Sequence, residues 1–107
     1  MTEETRNRID SAVKDNKVMI FMKGSPDFPQ CGFSAVTVEI FERLGVPYAT
    51  MDVLADPSIR QGIKDYSQWP TIPQVYIAGE FIGGCDITRE MYANGELEKT
   101  VQAALTA

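Results

Sequence analysis

Val18-Met19-Ile20-Phe21-Met22 is the segment that most restricts how this chain folds. It is a short, unbroken apolar run, and Lys23-Gly24 closes it with a turn. A run that short, with no polar face, reads as a strand buried on both sides. Such a strand needs a covering layer above and below its sheet.

The rest of the chain supplies those layers. Residues from Glu3 to Asp15 are polar, with Ile9, Ala12 and Val13 at helical spacing; they predict a first helix. Ser25 to Gln30 is a loop fixed by Pro26 and Pro29. Val36, Val38, Ile40, Phe41 and Leu44 predict a helix from Ser34 to Leu44, stopped by Gly45. Tyr48 to Val53 reads as a second strand. Asp56 as N-cap and Pro57 at the first helical position open a helix running to about Tyr66. Pro73 to Ile77 and Glu80 to Gly83 flank Ala78-Gly79 as a hairpin. Asp86-Ile87-Thr88 caps a helix to about Asn94, and Glu96 to Ala104 forms a last short one. The order α-β-α-β-α-β-β-α contains a right-handed β-α-β crossover and a closing antiparallel hairpin. It predicts an α/β fold: a four-stranded mixed sheet flanked by helices, in one domain over residues 1–107.

Composition removes several function classes. Hydrophobic residues make up 44% and charged residues 23%, ordinary for a globular protein. The formal net charge of −5 speaks against non-specific binding to nucleic acid or to an anionic membrane. No apolar run approaches the roughly 20 residues of a membrane span. With no histidine, a His base and every His-containing zinc site are excluded from this chain alone. The opening residues Met1 to Arg6 are acidic and polar, unlike a secretory signal, so the expectation is a cytoplasmic protein. Its two cysteines then read as reduced thiols with a chemical role.

Cys31-Gly32-Phe33-Ser34 has the layout of a C-x-x-C redox motif with a hydroxyl in place of the second thiol. A thiolate at the first position attacks a disulfide or binds a soft metal. A serine at the fourth cannot resolve the mixed disulfide that results. The motif therefore points to a thiol that depends on another molecule. Cys31 stands at a helix start, where partial positive charge and unpaired N–H groups favour a thiolate. Lys23 adds a full charge nearby.

Further on, Gly83-Gly84 permits close backbone approach, and Cys85-Asp86 opens a helix whose N–H groups suit an anion. Plainer readings stand beside these. Asp86 is also a simple N-cap. Cys85 is either a small, inert buried thiol or a redox partner of Cys31. A lone Lys23, Arg60 or Lys64 is usually a solvated charge. Trp69-Pro70-Thr71-Ile72-Pro73 is also a rigid loop entering a strand, with Trp69 a packing or rim residue.

In order and spacing together, Lys23, Cys31-Gly32-Phe33-Ser34, Trp69-Pro70-Thr71-Ile72-Pro73 and Gly83-Gly84-Cys85-Asp86 resemble the monothiol, CGFS-type glutaredoxins. The resemblance covers about Arg6 to Leu97. It implies a thioredoxin-like fold, glutathione binding, a [2Fe–2S] cluster bridging a homodimer, and partnership with BolA-type proteins. It places glutathione against Lys23, Cys31, Phe33, Arg60, Thr71, Ile72, Pro73, Gly84, Cys85 and Asp86, with Lys64 the alternative to Arg60. It also implies that Pro73 is cis and faces Cys31, leaving the Ile72 backbone to pair with the extended tripeptide. The family often has Phe where Ile72 stands. The loop from Gly24 to Gln30 is of the longer type found in this class, which implies that the glutathione sulfur serves as a ligand.

A cluster needs four ligands, usually thiolates. Two Cys31 and two glutathione thiols supply them, with Cys31 as the chain's own metal ligand. The expected function is thus an iron–sulfur cluster carrier or scaffold, serving apo-protein recipients in cluster assembly and iron homeostasis. The rival is an oxidoreductase that reduces protein–glutathione mixed disulfides by a monothiol route, with activity expected to be weak. A third reading is a redox sensor joining Cys31 to Cys85.

Overall fold

The five-residue apolar run is the centre of the sheet. In the computed structural model, which describes residues 1–107, it forms β1 (Val18–Met22) and is buried along its whole length. Alternate residues serve different cores. Val18, Ile20 and Met22 point to one side and Met19 and Phe21 to the other. Each fully buried side chain of this size contributes about 1.5–3 kcal/mol relative to exposure.

β1 runs parallel to β2 (Ala49–Asp52) and antiparallel to β3 (Gln74–Ile77), which pairs with β4 (Glu80–Gly83). The strand order is β2-β1-β3-β4. On one face α2 (Gly32–Leu44) and α5 (Glu96–Leu105) contribute Val38, Phe41, Leu97 and Val101. On the other, α1 (Glu3–Asp15) and α3 (Pro57–Ser67) contribute Ile9, Val13, Ile59 and Ile63. α4 (Cys85–Ala93) follows β4 and packs against α2. This is the four-stranded, thioredoxin-like arrangement that the sequence predicts.

The local signals hold where they rest on backbone chemistry. Asp56 caps α3 by accepting from the Ser58 N–H at 2.9 Å, with Pro57 in the first turn. Ala78 and Gly79 turn the hairpin with φ of 53° and 81°, the left-handed pair that suits a two-residue connection. The Ile72–Pro73 peptide is cis.

Two helix starts differ from expectation. α2 begins at Gly32 rather than Ser34, which makes Cys31 its N-cap. α4 begins at Cys85 with Gly84 as N-cap, so Asp86 lies in the first turn and is not the cap. Gly83, two residues before the helix, has a φ of 146°, which glycine tolerates. The Gly84 carbonyl then accepts from the Thr88 N–H at 3.1 Å and from the Thr88 hydroxyl at 2.8 Å. β3 starts at Gln74, because Pro73 has no N–H for the ladder. The C-terminal segment is two helices, divided at Gly95 (φ 83°).

Candidate functional site

The C-terminal end of β1, the start of α2, the segment before β3 and the start of α4 meet around an open cleft of about 520 Å³. Lys23, Cys31, Phe33, Thr71, Ile72, Pro73, Gly84, Cys85 and Asp86 line it, so the fold brings together residues from all four sequence signatures. Arg60 is exposed and does not line the cleft; Lys64, one turn further along α3, does. Trp69, Pro70 and Ile87 complete the wall.

Cys31 is partly exposed and free of any disulfide. The Ser34 N–H at the start of α2 lowers its pKa below the ordinary thiol value, against the opposing effect of burial. The Phe33 N–H, the positive charge of Lys23 and the Ser34 hydroxyl act in the same direction. No capping hydrogen bond from the Cys31 side chain is formed in the structure. The environment thus favours a thiolate that faces the cleft.

Ser34 has a role that the motif did not reveal. It is fully buried, and its hydroxyl accepts a hydrogen bond from the Lys23 N–H at 3.1 Å. The hydroxyl in the position of a resolving thiol therefore fastens the end of β1 to α2. It is committed to the scaffold.

The loop between Lys23 and Cys31 closes on itself. Gly24 and Pro29 form an isolated bridge, and the Gln30 N–H donates to the Lys23 carbonyl at 2.9 Å. Gly24 has φ 88°, and a Cβ there would collide with the Phe28 carbonyl oxygen, so only glycine fits. The Asp52 carboxylate accepts from the Gly24 N–H at 2.9 Å and from the Leu54 N–H at 2.8 Å, tying the loop to the end of β2. The tip of the loop presents Phe28, 75% exposed, and Phe33 beyond it is 61% exposed.

On the opposite wall, the Ile72 N–H and C=O have no partner within the protein. The N-cap Gly84 contributes no side-chain bond, and the Cys85 and Asp86 N–H groups have no protein acceptor. None of the three ion pairs of the chain involves Lys23, Lys64 or Asp86. The Trp69 indole N–H is buried beside Gly84 without an acceptor, while its ring packs on Phe81 at 5.7 Å between centroids. Cys85 is a buried free thiol at the cleft wall.

Sequence reasoning missed Gln74. It is fully buried, and its amide donates to the carbonyls of Trp69 at 3.2 Å and Thr71 at 3.3 Å. The only signal was its place between Pro73 and an apolar strand, where a buried polar side chain must find partners.

A thiolate at a helix start, a cis proline lining the same cleft and an unpaired backbone segment before β3 invite comparison with known proteins. The glutaredoxin family pattern matches residues 18–82. The chain belongs to the glutaredoxin family. It is similar to a monothiol glutaredoxin of Synechocystis, 59% identical over 107 residues and covering all of both chains. It is also similar to the solution structure of reduced poplar apo GrxS14, with 49% identity and a TM-score of 0.84 over 95% of this chain and 94% of that one. A buckwheat glutaredoxin solved as a glutathione complex matches with 25% identity and a TM-score of 0.85, covering 97% and 96%.

Monothiol glutaredoxins named chloroplastic in rice and Arabidopsis are longer, and this chain spans 62% and 61% of them. A cytoplasmic location is therefore not a property of the family. No helix of this glutaredoxin is long and apolar enough to cross a membrane.

Proposed function

We propose that this glutaredoxin binds glutathione in the cleft and carries a [2Fe–2S] cluster as cargo between two copies of itself. The charges support the ligand. Lys23 and Lys64 set two cations in the cleft wall and Asp86 one anion, all without protein ion-pair partners. Glutathione carries two carboxylates and one ammonium, the complement of that set. The unpaired Ile72 N–H and C=O suit the cysteinyl peptide group of an extended tripeptide. The free N–H groups at the start of α4 suit the γ-glutamyl carboxylate, and the Asp86 carboxylate suits its ammonium.

The observation that carries the cargo reading is the single accessible thiolate. Cys31 faces the cleft, Cys85 is buried, and no group of three potential metal ligands exists in the chain. Four sulfurs hold a [2Fe–2S] cluster. This donor set fits a shared arrangement in which each of two chains and each of two glutathiones gives one thiolate. Phe33, exposed and lining the cleft with Cys31, and Phe28, exposed on the loop before it, provide apolar surface for a second molecule to cover. Apo-protein recipients and a BolA-type protein are the further partners we propose, on the family resemblance.

The lowered pKa of Cys31 also favours a second role. Its thiolate attacks the glutathione sulfur of a mixed disulfide, the protein thiol leaves, and a second glutathione thiolate displaces the first from Cys31 as glutathione disulfide. With Ser34 buried and bonded, this route uses no second protein group.

The test is anaerobic reconstitution of the wild type and Cys31→Ser with iron, sulfide and glutathione. The wild type should bind iron, sulfide and glutathione at about one each per chain. Cys31→Ser should bind no cluster, because a hydroxyl is a harder and weaker ligand than thiolate. A Cys31→Ser protein with wild-type iron content and visible spectrum would overturn the assignment.

A further inference from the structure

The segment Trp69 to Pro73 has no regular secondary structure, yet it must present the Ile72 N–H and C=O to a ligand. The Trp69 N–H ties its start to α3, donating to the Lys64 carbonyl at 3.2 Å and the Ser67 hydroxyl at 3.1 Å, and one side chain, Gln74, bonds the carbonyls within it. The Gln74 amide nitrogen donates to the Trp69 carbonyl at 3.2 Å and to the Thr71 carbonyl at 3.3 Å, spanning the segment on either side of Pro70. The Gln74 amide oxygen accepts from the Tyr76 hydroxyl at 3.2 Å. These partners fix the amide's orientation, since carbonyls only accept. Gln74 is fully buried and Tyr76 nearly so. Burial raises the Tyr76 pKa well above its ordinary value, so the hydroxyl remains a donor throughout the physiological range.

We propose that Gln74 is a positioning residue for ligand binding, which holds the Trp69–Pro73 segment in its binding-competent shape with Tyr76 holding Gln74 in turn. The inference rests on reading the cleft as a glutathione site. Gln74 touches the segment from inside the protein and lies outside the cleft lining, so it acts through Thr71 and Ile72. Without its donors, the two carbonyls turn to water and the segment gains other conformations. Apparent affinity then falls in proportion to the fraction that remains competent. A competent fraction of about one tenth weakens binding about tenfold.

Gln74→Met keeps length and apolar volume but removes both donors. Tyr76→Phe removes only the hydroxyl that orients the amide. The experiment measures glutathione affinity by calorimetry, thermal unfolding, and the emission of Trp69, the only tryptophan in the chain. Gln74→Met should weaken glutathione about tenfold and shift Trp69 emission in the ligand-free protein. Tyr76→Phe should weaken it less, and should have no further effect on affinity when added to Gln74→Met. Wild-type affinity in folded Gln74→Met, with only a lowered melting temperature, would make Gln74 structural and overturn the inference. If Gln74→Met fails to fold, Tyr76→Phe alone decides: unchanged affinity and emission overturn it. A wild type that binds no glutathione would overturn the cleft reading itself and this inference with it.

Discussion

The Ser34 hydroxyl accepts the backbone N–H of Lys23 at 3.1 Å, so the residue that replaces a second redox thiol joins the two elements that carry the cleft's lysine and cysteine. Both ends of this bond are set in the scaffold: Ser34 is fully buried and Lys23 directly follows β1. Ser34→Ala should leave the Lys23 N–H without an acceptor and cost about 1–3 kcal/mol in urea unfolding. The same hydroxyl helps to lower the Cys31 pKa, so the thiol titration should move up as well. Unchanged stability and an unchanged titration would remove this joint from the account.

The pH dependence of Cys31 follows from the sign of its shift. The pKa is lowered in the folded protein, first by the Ser34 N–H, so the thiolate persists below the ordinary thiol range. Alkylation by iodoacetamide should therefore reach half its maximal rate at a pH below that of an unstructured peptide thiol. A depressed anionic group stabilises the fold above the unfolded pKa, and that contribution fades as pH falls through the folded value. Lys23→Ala should raise the alkylation midpoint, because one of the charges favouring the thiolate is gone. A midpoint at the peptide value in the wild type would contradict the environment described for Cys31.

Lys64 and Arg60 give a direct comparison. Lys64 is half-buried in the cleft wall and Arg60 is exposed outside it. Lys64→Ala should weaken glutathione binding by about 1.5 kcal/mol, roughly tenfold, as for one charge-assisted contact. Arg60→Ala should change it far less. Calorimetry on the two variants checks this, and the reverse order would place the ligand's second carboxylate outside the cleft.

The sheet and most elements were legible because the signals were local and chemical. The unalternating run at Val18–Met22 could be satisfied only by two buried faces, and Asp56-Pro57 could be read as a helix start from capping alone. The motif residues were legible as a set, and the fold gathers Cys31, Ile72 and Asp86 at one cleft. What stayed hidden depended on where side chains point in three dimensions. One turn of helix separates Lys64 from Arg60, and only the packing of α3 decides which faces the cleft. The sequence marks Ser34 only as the hydroxyl in place of a second thiol and Gln74 only as a residue of the strand after Pro73. Their roles come from bonds made after burial, to Lys23 and to the Trp69 and Thr71 carbonyls. Gly84 and not Asp86 caps α4, a choice between neighbouring residues that the sequence does not declare.

The most direct test of the central claim is the size of the protein with and without its cargo and ligand. Sedimentation under anaerobic conditions would compare apo-protein, cluster-loaded protein with glutathione, and the loaded protein after glutathione is removed. The account predicts a monomer, a dimer, and a return to monomer with loss of the visible spectrum, because the four sulfurs come from two chains and two glutathiones. A cluster-loaded monomer, or a cluster that survives complete removal of glutathione with no other thiol present, would contradict it.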